Sequence, residues 1–251
     1  MKWVFLSPHL DDVVFSCGGL VWERVRAGDE VAIWTICAGD PPDGAYSSFA
    51  KSLHETWQLP EQVTEHRRAE DEEACEVMGA LPRHFMVPDA IYRRCPESYA
   101  WLYPSEEAIF GGLDPVERPL VEMVSLRLSH DLSDADRVVS PLGIGNHVDH
   151  ELTRKGAHRL ERDLYFYADF PYVREIQNQS IMKIMTESED WEEVPYKISP
   201  AALSAWKEAS ACYQSQIGLF WEDEGGLGED LEGFAASMSG VNLWRRGEEG
   251  G

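Results

Sequence analysis

The 251-residue sequence predicts an α/β fold, a mainly parallel, doubly wound sheet with helices on both faces. Three observations predict it. Short runs rich in β-branched and aromatic residues recur at 3–7, 31–37, 84–89, 137–141 and 164–170. Helical segments separate most of them, giving the β-α-β alternation whose crossovers favour parallel neighbours. The two densest polar clusters, "SPHLDD" and "GNHVDH", both follow predicted strands, where a sheet of this kind binds its ligands.

Each element has its own justification. The strand at 3–7 leads to a helix from about Gly19 to Arg26, and "AGDE" at 27–30 turns the chain into the strand "VAIWTIC". Residues 38–62 hold Pro, Gly, Ser and aromatics and read as a long surface loop. "TEHRRAEDEEACEVMG" (64–79) reads as an amphipathic helix with Ala69, Ala74, Val77 and Met78 inward and Gly79 as C-cap. "HFMVPD" (84–89) is the third strand, 116–129 a helix, and "RVVSP" (137–141) the fourth strand. After a glycine-rich turn, a helix runs to about Arg162, followed by a strand at "LYFYADF" (164–170) and a helix over 201–216. The glycine-and-acid stretch 222–233 and the tail from about 240 read as mobile. No repeat or linker divides the chain, so residues 1–251 read as one domain.

Composition narrows the function classes. Hydrophobic residues at 43% and charged residues at 27% fit a soluble globular chain. No apolar run approaches the ~18 residues of a membrane span. The first apolar run meets two aspartates where a signal peptide carries small cleavage-site residues, so the expected location is cytoplasmic. Cys17, Cys37, Cys75, Cys95 and Cys212 are odd in number and lack a C-x-x-C, which predicts reduced thiols. A net charge of −23 argues against nucleic acid or an anionic membrane as partner. Oligomeric state is not legible.

The two polar clusters carry the chemistry. Adjacent carboxylates at Asp11 and Asp12 repel, so a cation or a proton must balance them. Taken singly, His9 reads as a satisfied polar residue, the aspartates as a helix cap, and "HVDH" as an acidic first turn. Two such clusters at one sheet edge point instead to a metal. His9, Asp12 and His150 form a two-imidazole, one-carboxylate set suited to catalytic zinc with a position left for water. The set lacks a thiolate and also suits Fe(II), Mn(II) or Co(II). One aspartate then serves as ligand and the other as general base, while one histidine of "HVDH" binds metal and the other faces a developing oxyanion, oriented by Asp149.

"SPHLDDVVFSCGG" together with "PLGIGNHVDH" resembles the PIG-L/LmbE-type metal-dependent N-deacetylases, whose members carry H-x-D-D after the first strand and H-x-D-H after a later one. Most members have Pro where this chain has Leu10. Arg67 with Glu70 and Gly79, Asp89, "YADFPY" (167–172) and "KEASACYQSQ" (207–216) extend the likeness from residue 3 to about 216. The resemblance implies one Zn2+ per chain on His9, Asp12 and His150, with Asp11 as base. It implies His147, held by Asp149, as electrophile or acid, and Arg67 and Asp89 beside the sugar. The implied substrate is a small acetamido-sugar conjugate of the N-acetylglucosamine type, hydrolysed to a free amine and acetate. Tyr46, Trp57, Trp101 and Tyr103 could add a stacking wall.

Two other functions compete. A metal-dependent esterase or phosphoesterase uses similar clusters, but phosphoesters usually call for a second metal and cationic holders. A non-catalytic sugar- or nucleotide-binding module has no need of Asp11 beside Asp12, and "SCGGL" is not a G-x-G-x-x-G.

Overall fold

A computed structural model describes residues 1–59, 62–175 and 191–246. Its strands are β1 (Lys2–Ser7), β2 (Glu30–Thr35), β3 (Leu81–His84), β4 (Arg137–Pro141), β5 (Leu164–Tyr167), β6 (Trp191–Tyr196) and β7 (Val241–Arg246). They form one sheet in the order β3-β2-β1-β4-β5-β7-β6. The first five named in that order run parallel, with Val4 opposite Ala32 on one side and Val138 on the other. β7 is antiparallel to both β5 and β6. The α-helices are α1 (Asp12–Arg26), α2 (Ser48–Thr56), α3 (Val63–Met78), α4 (Glu106–Ile109), α5 (Arg118–Asp131), α6 (Val148–His158), α7 (Pro200–Ala211), α8 (Gln214–Phe220) and α9 (Glu224–Ser237).

The centre of the sheet explains the composition of β1. Trp3, Val4, Phe5 and Leu6 are all buried, because helices cover both faces of a central parallel strand. The chain leaves β1 toward β2 on one side and leaves β4 toward β5 on the other. The crevice beyond β1 and β4 is therefore the topological switch point of the sheet. "SPHLDD" and "GNHVDH" both open there.

Several expectations are corrected. The first helix starts at Asp12, not near Gly19, and carries Gly18 and Gly19 in its interior. A Cβ on Gly18 would stand 2.4 Å from Trp206 Cδ1, so the glycine lets α7 press its buried tryptophan against α1. The Trp206 indole donates to Val14 O at 2.6 Å. The stretch 38–62 is not all loop: Ser47 accepts from Ala50 N–H and starts α2. In α3, Ala74 and Met78 face inward but Ala69 is exposed, and Arg67, Glu70 and Asp71 share the buried face. The third strand is Leu81–His84 rather than 84–89, because β2, its parallel template, ends at Thr35. The predicted helix over 201–216 divides into α7 and α8 at Cys212 and Tyr213.

The stretch 222–233 is also ordered. Asp223 caps α9, and Leu227, Leu231 and Ala235 give it a buried stripe at helical spacing. Residues 241–246 of the expected mobile tail form β7, hydrogen-bonded on both sides; residues 247–251 lie outside the described residues. All five cysteines are unpaired. Among the described residues no helix is long and apolar enough to cross a membrane.

Candidate active site

Local hydrogen bonding builds the first cluster. At the end of β1, Ser7 Oγ donates to His9 O at 2.5 Å and accepts from Val13 N–H at 3.2 Å, which folds the chain tightly into α1. His9 N–H donates to Asp12 Oδ2 at 2.7 Å. Asp12 is the first helical residue, where the amide dipoles favour its negative charge. Asp11 occupies the cap position, yet its side chain makes no capping bond; its carboxylate faces the cavity instead. The second cluster follows β4 through a turn with Gly143, Gly145 and Asn146 at positive φ. His147 caps α6, its Nδ1 accepting from Asp149 N–H at 3.2 Å.

The two clusters converge on Asp12. His9 Nδ1 lies 3.1 Å from Asp12 Oδ2, and His150 Nε2 lies 3.2 Å from Asp12 Oδ1. Each ring anchors its far nitrogen on another buried carboxylate: His9 Nε2 on Asp149 Oδ2 at 3.0 Å, and His150 Nδ1 on Asp169 Oδ1 at 2.6 Å. Imidazole–carboxylate pairs of this kind fix the tautomer and aim the other nitrogen at a metal. His150 Nε2 is buried, and its ion-pair contact with Asp12 Oδ1 lacks hydrogen-bond geometry, which fits a nitrogen and a carboxylate that share a cation. Burial disfavours charged imidazole, yet hydrogen bonds to Asp12 and Asp149 hold the His9 pKa well above its ordinary value. Against the same burial, Asp12 and Asp169 push His150 up to about 9. The field at this point attracts positive charge, and the donor set suits a divalent ion.

Among the described residues, two groupings bring three ligand atoms within 4.8 Å of one another, and neither includes Asp12: His9 with His147 and His150, and His9 with Asp89 and Asp149. The second is already in use. Asp149 accepts from Ala90 N–H at 2.9 Å, from His9, and from Arg93 Nη1, so both of its oxygens are engaged. Burial opposes its ionisation, but the Arg93 guanidinium holds its pKa well below the carboxylate range. Arg93 is itself buried and bridges to Glu117 at 2.6 Å. The sequence-based expectation that Asp149 orients His147 therefore takes a different form. The backbone amide of Asp149, not its carboxylate, reaches His147. Because that N–H occupies Nδ1, neutral His147 carries its proton on Nε2. Burial first, then His9, hold the His147 pKa well below its ordinary value, so it is a neutral donor.

Asp11, Arg67 and Asp89 form the rest of the polar floor. Arg67 Nη2 is 3.7 Å from Asp11 and Nη1 is 3.9 Å from Asp89. Arg67 lines the cavity, is 7% exposed, and its Nε is buried without a hydrogen-bond partner. Its face lies over the Trp57 ring, 5.0 Å from the centroid. Burial, then the neighbouring Asp12 charge, push Asp11 up to about 6. Neighbouring Arg68 is occupied elsewhere, bonded to Ala38 O and Asp40.

These groups open into a cavity of about 320 Å³. Of the four aromatics expected to form a stacking wall, Trp57 lines it. Tyr46 packs on His54 and Tyr92, Trp101 lies under Arg94, and Tyr103 donates to Glu117. Sequence reasoning missed the roles of Asp169, Arg93 and Glu117. "YADF" marked Asp169 only as part of a resemblance, and nothing local distinguishes Arg93 from a surface arginine.

Residues 4–160 match the family described as PIG-L: GlcNAc-PI de-N-acetylase. The 2'-N-acetylparomamine deacetylase of Niallia circulans is 28% identical over 269 residues, spanning 96% of this chain and 93% of that protein. The zinc-inhibited form of teicoplanin deacetylase Orf2 superposes over the full length of both chains with a TM-score of 0.82 and 25% identity. The A40926 pseudoaglycone deacetylase Dbv21 shares the fold, with a TM-score of 0.70 and 24% identity over 97% of this chain and 95% of that one.

Proposed function

Because the chain belongs to the PIG-L (GlcNAc-PI de-N-acetylase) family, we propose that it is a metal-dependent N-deacetylase acting on a small acetamido-sugar conjugate. The observation that carries the reading is the convergence of His9 Nδ1 and His150 Nε2 on the two oxygens of Asp12, each ring anchored behind by a buried carboxylate. His9, Asp12 and His150 would hold one divalent ion, zinc in the first instance. When bound, the ion polarises the amide carbonyl and acidifies the attacking water.

The chain's own groups account for the remaining steps. Asp11 makes no capping bond and faces the cavity, so it is free to take the proton of the attacking water as general base. Neutral His147 donates its Nε2–H to the oxyanion as the carbonyl carbon becomes tetrahedral. Asp11 then returns its proton to the departing nitrogen, leaving amine and acetate. Arg67 and Asp89 offer one cationic and one anionic partner to the hydroxyls of the sugar. Asp149 acts from behind, fixing the His9 ring through its carboxylate and the His147 tautomer through its backbone N–H.

The test compares metal content and acetate release in wild type, Asp12→Ala, Asp11→Asn and His147→Ala. Asp12→Ala should lose metal. Asp11→Asn should retain it and lose ~10²–10⁴-fold in turnover, the usual range for a missing general base. His147→Ala should also retain metal, while lowering kcat and kcat/KM together. Metal loss in His147→Ala would make the three-histidine grouping the ligand set. Release of carboxylate from esters but from no acetamido sugar would establish the esterase instead.

A further inference from the structure

Arg67 is a buried cation held in place without hydrogen bonds. Among the described residues it makes none: its Nε is buried without a partner, and Asp11 and Asp89 stand 3.7 and 3.9 Å from its Nη atoms. A charge-assisted bond would close that gap to about 2.7–2.9 Å. The guanidinium instead lies on the Trp57 indole, with Cζ 5.0 Å from the ring centroid. That is within reach of the attraction between a cation and the negative face of an aromatic ring.

The indole has supports of its own. Trp57 follows the last residue of α2 and donates its backbone N–H to Leu53 O at 2.8 Å. His54 stacks on the ring at 6.0 Å between centroids with a 27° tilt, and His54 Nε2 lies 2.7 Å from the Tyr92 hydroxyl. Trp57, Val63, Ile91 and Tyr92 belong to a small apolar cluster apart from the core of the sheet. Trp57 Nε1 is buried without a hydrogen-bond partner, so packing orients the ring. At 7% exposure the indole has too little open surface for a sugar to stack on it.

We infer that Trp57 is a positioning residue of this site: its indole holds the Arg67 guanidinium in place, so that the donors of Arg67 meet the substrate already ordered. The inference rests on the deacetylase reading and names a residue that reading does not use. Arg67 borders the cavity beside Asp11 and Asp89, where the sugar hydroxyls are taken to lie. A carboxylate bonded to Arg67 would fix it equally well, but would occupy the donors that a hydroxyl needs. An aromatic face fixes the cation and leaves its in-plane N–H groups to other partners. Without that face, a long side chain must be ordered at each binding event, at a cost in affinity.

The experiment uses the metal-loaded full chain and the methyl glycoside of N-acetylglucosamine. A tryptophan fluorinated on its benzo ring, placed at position 57 alone, keeps the shape of the indole and drains the negative potential of its face. KM should rise stepwise with the number of fluorines, while kcat, metal content and the unfolding midpoint stay as in wild type. A purely structural indole would leave KM flat, and that result overturns the proposal. Trp57→Leu should raise KM about 5–20-fold, and Trp57→Phe, which keeps a smaller face, should recover most of that loss. In an Arg67→Met background the fluorinated indole should have no further effect on KM. An equal effect there would mean that Trp57 acts by another route than Arg67, and would overturn the proposal.

Side-chain NMR separates the inference from the reading on which it rests. The Arg67 guanidinium protons, assigned by their loss in Arg67→Met, should be shielded by the indole ring current and should lose that shielding in Trp57→Leu. If they do, and calorimetric affinity for the glycoside falls with fluorination although no acetamido sugar is turned over, Trp57 holds Arg67 and the deacetylase reading falls. If acetate is released but these protons are unshielded in wild type, the deacetylase reading stands and the proposal is refuted.

Discussion

Replacing Arg93 by methionine keeps the apolar stem and removes the guanidinium that joins Asp149 to Glu117. In the folded protein Asp149 is 0% and Glu117 5% exposed, so neither carboxylate can be rehydrated in place. Removing one partner of a buried ion pair costs about 3–5 kcal/mol, because the other charge is left buried and uncompensated. Two features moderate the loss. Asp149 retains the Ala90 N–H and His9, and Glu117 retains the Tyr103 hydroxyl. Burial already biases Glu117 toward its neutral form, since its pKa is raised despite the Arg93 charge.

The expected destabilisation at pH 7 is therefore at the low end, about 3 kcal/mol, measured as a shift in the urea midpoint at constant slope. The sign of its pH dependence follows from linkage. Without Arg93, Glu117, already raised by burial, rises further, and Asp149 loses the largest influence that lowers it, so as pH falls the folded variant takes up protons before the folded wild type does. The deficit should shrink as pH falls from 7 toward 5. Adding Glu117→Gln should also recover part of it. A loss below about 1 kcal/mol, or one that is the same at both pH values, would refute the ion-pair reasoning and leave only packing.

Two further outcomes follow from the same geometry. Asp169→Asn keeps the shape of the group behind His150 but removes its charge, and metal affinity should fall about 10–100-fold in competition with a chromophoric chelator; equal affinities would remove Asp169 from the account. Gly18→Ala should lower the melting temperature, since forcing a Cβ against Trp206 costs about 1–3 kcal/mol and the helix-propensity gain returns only ~1 kcal/mol. A higher melting temperature would mean that the α1–α7 contact yields easily.

The sequence alone determined the class of fold, the parallel centre and the two clusters of chemistry. Each of these is written in short-range pattern. A strand buried on both faces must be apolar throughout, as Trp3 to Leu6 are, and such a sheet binds its ligands just beyond the strand ends, where His9 and His147 stand. Helix boundaries were less legible where long-range packing overrides local preference. Gly18 reads as a helix breaker until Trp206, far along the chain, is found against it. The glycines at 225, 226, 228 and 233 mask the buried stripe of α9 in the same way, and β7 is a strand because β5 and β6 pair with it on both sides.

Only the tertiary structure decided how the site is supported. The partners of Asp149, Ala90 and Arg93, come from a turn more than fifty residues earlier in the chain, and the partner of His150 follows β5. Which arginine of the pair at 67 and 68 faces the cavity depended on Asp40 and Ala38 claiming the other. The polar floor is likewise assembled from segments that share no local pattern. The physical reason is common to all of these. Burial and electrostatic pairing depend on which distant side chains share a low-dielectric space, and that is settled by packing of the whole sheet and its helices rather than by any neighbour in sequence.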